Sequence, residues 1–157
     1  MTHVNKRKLA PTRRTLPMSL LRVRELIMEP VRPMLLNHNI TEQQWRVLRV
    51  VSEEREADAT TVADKACLLA PSLTRILKTL SEKRYIEVFK DKNDGRRTMM
   101  RLTQEGQSFI DKVTPESLEI FEELRSIVGD ERWENLIDLL LEIRDDFKKA
   151  KLDDQHR

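Results

Sequence analysis

Nine polar side chains between Ser72 and Arg97 have the types and spacing to grip a nucleic acid. Ser72, Thr74, Arg75, Lys78 and Thr79 fall on the polar side of a predicted helix over residues 71–83, whose other side carries Leu73, Ile76, Leu77 and Leu80. A short apolar strand is predicted over residues 85–89. The stretch DKNDGRRTMMRLTQEG (residues 91–106) then reads as a hairpin tip bearing Lys92, Asp94, Arg96 and Arg97, followed by a second strand. Arginine matches the paired acceptors of guanine, a contact worth about 1–3 kcal/mol of discrimination. Ser72, Thr74 and Arg75, near the helix start, are therefore candidates for base edges, and Lys78 and Thr79, one turn later, for phosphate. At the tip Gly95 permits a tight turn. Asp94 is expected to hold the Arg96 guanidinium in a charge-assisted pair, aimed at a narrow minor groove. A helix for the major groove beside a basic hairpin for the minor groove is the outline of a winged helix-turn-helix.

The elements that must position these groups follow from periodicity. Apolar residues at Leu16, Leu20, Val23, Ile27, Val31 and Met34 mark a first helix, with Pro30 and Pro33 inside it predicting a kink or a break. Thr41 and Gln44 form a capping box opening a second helix through Trp45, Leu48 and Val51. The acidic run over residues 52–58 reads as a loop. Thr60 or Thr61 opens a third short helix, residues 68–70 form the turn, and Pro71 suits a first helical position. After the hairpin, Thr103 opens a long helix through Phe109, Ile110, Val113, Leu118 and Phe121, with a bend implied at Pro115. Gly129 stops it and Asp130 caps a last helix carrying Trp133, Leu136, Leu140, Ile143 and Phe147. The fold class is mainly α with a small β wing, in the order α-α-α-α-β-β-α-α. Residues 1–14 form a flexible basic arm, 38–103 the DNA-binding core, 15–37 and 104–150 dimerisation helices, and 151–157 a tail.

Charge is distributed unevenly around a net +2. Residues 1–14 carry five cations and no acid. Residues 71–101 hold nine Lys or Arg against four acids, whereas residues 104–157 hold eight against fifteen. A basic centre beside an acidic helical tail fits a nucleic-acid face joined to a solvated scaffold. The single cysteine, Cys67, excludes an internal disulfide and reads as a core residue at the end of the third helix. His3, His38 and His156 lie too far apart for metal-ligand spacing, and no metal or cofactor is expected. No apolar run approaches the roughly 18 residues a membrane span needs, so a cytoplasmic protein is expected. No phosphate-cradling loop or nucleophile elbow supports an enzyme. The terminal helices carry more apolar surface than one small domain can cover. A homodimer would cover it and set two recognition helices about one DNA turn apart.

The pattern Asp94-x-Arg96, then Leu102-Thr103 and Gly106, resembles the wing of MarR-type transcriptional regulators, and the likeness extends over residues 15–150. The segments LLRVRE (residues 20–25), Arg32-Pro33 and TEQQWRVLR (residues 41–49) are similar to the branch governing breakdown of homoprotocatechuate and related aromatic acids. One departure is Arg84, where the family usually places glycine. Arg84 must adopt an unfavourable turn, or the helix must end differently. The resemblance implies a homodimeric repressor on a palindromic operator in double-stranded DNA, released by a small aromatic carboxylate such as an arylacetate. It also implies a pocket lined by the first two helices. Arg24, His38, Trp45 and Arg46 are the candidates there: a stacking ring, guanidinium clamps for a carboxylate, and a further hydrogen bond. An effector-independent architectural DNA binder and a thiol-based redox sensor are the alternatives.

Overall fold

The computed structural model describes residues 9–155. His3, His156 and the first eight residues of the basic arm lie outside them. After a turn of 3-10 helix at Thr12–Arg14 come α1 (Leu16–Asn37), α2 (Glu42–Glu54), β1 (Glu56–Asp58), α3 (Ala59–Lys65) and α4 (Ala70–Glu82). β2 (Ile86–Lys90), β3 (Thr98–Leu102), α5 (Gln104–Val128) and α6 (Asp130–Gln155) follow. The winged helix-turn-helix is present as expected, with one added strand. The chain forms two compact units, one up to Ser117 and the other from Leu118.

The added strand is the main correction. β1 lies in the acidic stretch read above as a loop, and it pairs antiparallel with β3, so the sheet order is β1-β3-β2. Glu-Ala-Asp has poor strand propensity. What holds it there is backbone pairing with β3 and the burial of Ala57; on the outer face Arg101 of β3 also bonds Glu56 on one side and Glu87 on the other, at 3.0 and 2.9 Å. Ala57, Met100 and Ile86 turn the opposite way, into the core. That core is completed by Leu35, Ile40, Leu48, Val62, Leu80 and Val113, all fully enclosed.

Thr41 and Gln44 close the expected capping box, Thr41 Oγ1 accepting from the Gln44 amide at 3.2 Å and Gln44 Oε1 from the Thr41 amide at 3.1 Å. α3 starts earlier than Thr60, because Asp58 caps it by accepting from the Thr61 amide at 2.7 Å. Ala70 belongs to α4 rather than to the turn. α1 runs unbroken through Pro30 and Pro33: Val31 between the prolines and Met34 and Leu35 just after them are buried, and this packing offsets the lost backbone bonds. α5 likewise continues through Pro115. In the second unit Asp130 is the first residue of α6 rather than its cap, and its carboxylate accepts from Arg125 at 2.6 Å. No described residue of α6 is buried: Leu136, Ile137, Leu139, Leu140 and Phe147 are all exposed, as are Leu16, Leu20, Leu21 and Leu26 of α1.

Each of the first five helices is followed within two residues by a residue at positive φ: Asn39, Arg55, Cys67, Arg84 and Gly129. Only the last is a glycine, as expected at that stop. Arg84 takes the strained turn that its place in the sequence demanded (φ 60°). The hairpin is tied to α5 just beyond it. Thr103 Oγ1 donates to the Arg84 carbonyl at 2.5 Å and accepts from the Gly106 amide at 3.0 Å, while the Thr103 amide donates to the Tyr85 carbonyl at 3.1 Å. Gly106 permits this approach, since a Cβ there would sit 2.0 Å from the Tyr85 carbonyl oxygen. Gly106→Ala is accordingly expected to destabilise the fold by about 1–3 kcal/mol or more in urea unfolding, because backbone must move to admit the methyl group.

Candidate nucleic-acid interface

α4 buries Leu73, Ile76, Leu77 and Leu80 and leaves Thr74, Arg75 and Lys78 exposed, with Ser72 and Thr79 half-buried at the margin. This is the polar face expected from the spacing. The hydroxyls of Thr74 and Thr79 donate back to the carbonyls of Ala70 (3.1 Å) and Arg75 (3.3 Å), which leaves their oxygens free to accept. Ser72, Arg75 and Thr79 line a shallow crevice with Thr41, Gln43 and Gln44 of the α2 start. α4 and α2 therefore present one continuous polar edge.

The hairpin tip is organised by Asp91 and Asp94. Asp91 Oδ1 accepts from the amides of Asn93 (2.7 Å) and Asp94 (3.2 Å), which hold its carboxyl below the usual carboxylate range. Asp94 does not hold the Arg96 guanidinium. Its carboxylate accepts instead from the Arg96 backbone amide at 3.1 Å, while its carbonyl takes the Arg97 amide at 2.9 Å. The short side chain satisfies the nearest orphan donor of its own turn, the usual competition at such positions. Arg96 consequently points out of the tip with no ion pair among the described residues, as do Lys92, Arg75 and Lys78. Arg97 is different: its guanidinium bonds Asp58 Oδ2 at 2.5 Å and lies 3.5 Å from Asp91 Oδ2.

The four residues proposed for an effector do not meet at one point. His38 and Trp45 both lie edge-on to Phe109, at 6.4 and 6.5 Å between ring centres, and Tyr85 stacks on the same ring at 4.5 Å. His38 Nε2 also bonds Glu116 at 2.7 Å. Trp45 is buried. Arg24 pairs with Glu25 and Glu42, in a network completed by Arg32, which holds Glu25 through two bonds of 2.8 Å and Glu42 at 3.3 Å. Arg32 lowers the Glu25 carboxyl below its ordinary value. Arg24 thus has a salt-bridge role, the alternative to a ligand clamp; the part of Arg32 in the network was signalled only by its place seven residues, about two helical turns, after Glu25. Arg46 is half-buried, and its Nε is enclosed with no hydrogen-bond partner. Cys67 is exposed rather than in the core: it lies past the end of α3, at φ 53°. Among the described residues no cluster of His, Cys, Asp or Glu has the makings of a metal site, and no helix is long and apolar enough to cross a membrane.

Comparison with known proteins agrees with this geometry. Residues 40–98, from the α2 start through the hairpin tip, match the MarR family model. The chain is 36% identical over 135 residues to the HTH-type transcriptional regulator FarR of Neisseria gonorrhoeae, covering 86% of this chain and 88% of that one. It is 34% identical over 128 residues to the homoprotocatechuate degradative operon repressor of Escherichia coli, covering 82% and 86% respectively. Among solved structures, NadR in complex with 4-hydroxyphenylacetate superposes with a TM-score of 0.76 at 34% identity, over 87% of this chain and 96% of that one. On the strength of these identities, the chain belongs to the MarR family of transcriptional regulators.

Proposed function

We propose that this regulator is a homodimeric, cytoplasmic repressor of an aromatic-compound catabolic operon, bound to a palindromic operator and released by an aromatic carboxylate. The observation that carries the DNA half is the set of exposed cations without ion pairs on α4 and at the tip: Arg75, Lys78, Lys92 and Arg96. Arg24, Arg32, Arg97 and Arg101 of the same unit are, in contrast, held by carboxylates. Cations left unpaired on one face are available to replace the counterions of a phosphate backbone. Ser72, Thr74 and Arg75 lie at the start of α4, where base edges are read, with Thr79 and Lys78 toward the backbone and Arg96 in the minor groove. The exposed leucines of α1 and α6 support burial against a second copy, the arrangement that spaces two such helices.

The effector half rests on Arg46. A buried guanidinium nitrogen with no acceptor costs about 1–3 kcal/mol, and a carboxylate would relieve that cost through a charge-assisted bond. The E. coli relative's homoprotocatechuate operon and the 4-hydroxyphenylacetate held by NadR are both consistent with an arylacetate. Trp45, His38 and the Phe109 cluster supply aromatic surface nearby in the same unit, and Arg24 a second guanidinium. An effector acts only through unequal affinity for the DNA-binding and released states.

Arg96→Ala is expected to weaken binding of duplex DNA from immediately upstream of the protein's own gene by about tenfold or more in fluorescence anisotropy. Unchanged affinity at about 0.15 M salt would remove Arg96 from the interface. Arg46→Ala should leave that affinity intact while abolishing release by hydroxyphenylacetate and the thermal stabilisation that this ligand gives. An undiminished ligand response would place the carboxylate elsewhere.

A further inference from the structure

Two adjacent arginines at the wing tip have opposite surroundings. Arg96 is unpaired. Arg97 is held between two acids that come from different parts of the fold: Asp91, which shapes the tip, and Asp58, at the junction of β1 and α3. Asp58 is itself fixed, because its other oxygen caps α3 through the Thr61 amide at 2.7 Å. The backbone of Arg97 closes the same turn, its amide donating to Asp94 and its carbonyl accepting from Asp91 at 3.1 Å. One side chain thus joins the wing tip to the first turn of the helix-turn-helix.

We propose that Arg97 is a positioning residue: anchored on Asp58, it fixes the angle of the wing tip to α3 and so aims Arg96, without itself contacting DNA. This rests on the reading above that Arg96 reaches the DNA. Exposed ion pairs do little for stability, and the Arg97 side chain is 50% exposed, so orientation is the use such a pair has here. The Asp58 carboxyl, lowered to about 2 by the Thr61 amide first and Arg97 second, stays ionised across the physiological range and keeps the anchor charged.

Substitution at Asp58 separates positioning from simple electrostatics, because the two predict opposite signs. Asp58→Asn removes a negative charge from beside the DNA face and frees the Arg97 guanidinium. If Arg97 were an ordinary phosphate contact, binding would tighten. If Arg97 aims Arg96, binding weakens. Asparagine caps a helix as well as aspartate does, so α3 keeps its start.

The experiment measures affinity of the full chain for duplex DNA from upstream of its own gene, by anisotropy, for the wild type, D58N, R97Q, R96A and the combinations of R96A with the first two. The expected result is a roughly three- to tenfold loss for D58N and for R97Q, a loss that disappears in the R96A background because the aimed group is gone. The thermal midpoint should shift little. D58N binding as well as or better than wild type, while R96A binds weakly, would overturn the positioning role and leave the wing reading standing. R97Q losing as much in the R96A background as alone would show a contact of its own and likewise overturn it. R96A without effect would overturn the wing reading and this inference together. If D58N melts markedly lower, R97Q, which leaves the cap untouched, carries the test by the same comparison.

Discussion

Backbone pairing on both edges of β3 is the constraint on which the DNA-side geometry depends. β2 alone would make a two-stranded ribbon, a unit with marginal stability of its own. β1 adds the second edge, and it does so from the segment that leads directly into α3. The wing stem and the helix-turn-helix therefore share one sheet. Arg101 reinforces this from the outer face, bridging Glu56 and Glu87 on the two flanking strands while lying 4.9 Å over the Phe89 ring. Both carboxylates, Glu87 foremost, hold the Arg101 guanidinium's pKa above its ordinary value. On the inner face Ala57, Met100 and Ile86 enter the core.

Much of this was legible in the chain. The stripe of Leu73, Ile76, Leu77 and Leu80, the Thr41–Gln44 box and the Gly129 stop each follow from local rules acting within a few residues, whereas the strained turn at Arg84 was signalled by its departure from the family pattern. β1 was not legible, because nothing in Glu-Ala-Asp favours a strand; its pairing depends on β3, some 45 residues onward, which offers a free backbone edge and a partner for Glu56 in Arg101. The same limit hides the difference between Arg96 and Arg97. The local pattern gives two equivalent cations at a tip, and only Asp58, 39 positions away, distinguishes them. Asp94 shows the converse error, in which an expected side-chain pair yields to a backbone donor two residues away. The candidate effector residues were drawn from helix faces and a family likeness, so their convergence was the least constrained part of the reading. The structure groups His38 and Trp45 around Phe109, engages Arg24 with acids, and isolates the Nε of Arg46.

The distribution of paired and unpaired cations gives the surface its division of labour. Around α1 and the α2 start, Arg24 and Arg32 are neutralised by Glu25 and Glu42, and at the sheet Arg101 is neutralised by Glu56 and Glu87. Those charges fix elements in place and add little to the long-range field. Arg75, Lys78, Lys92 and Arg96 carry no ion pair among the described residues, so a modest net charge of +2 still leaves uncompensated cations on α4 and at the hairpin tip.

The helix ends carry a last consequence, for how separable the fold is. Of the five stops at positive φ, Asn39 and Gly129 tolerate that conformation, whereas the other three are built from Arg55, Cys67 and Arg84, residues that rarely take it unaided. Their turns are imposed from outside, as where the Thr103 hydroxyl takes the Arg84 carbonyl. A peptide cut to α3 and α4 would therefore lose the contact with Thr103 that holds the chain at Arg84, just past the end of α4. The chain stores its DNA-reading shape in long-range contacts, so that shape arises as a cooperative property of the whole first unit and not of any motif within it.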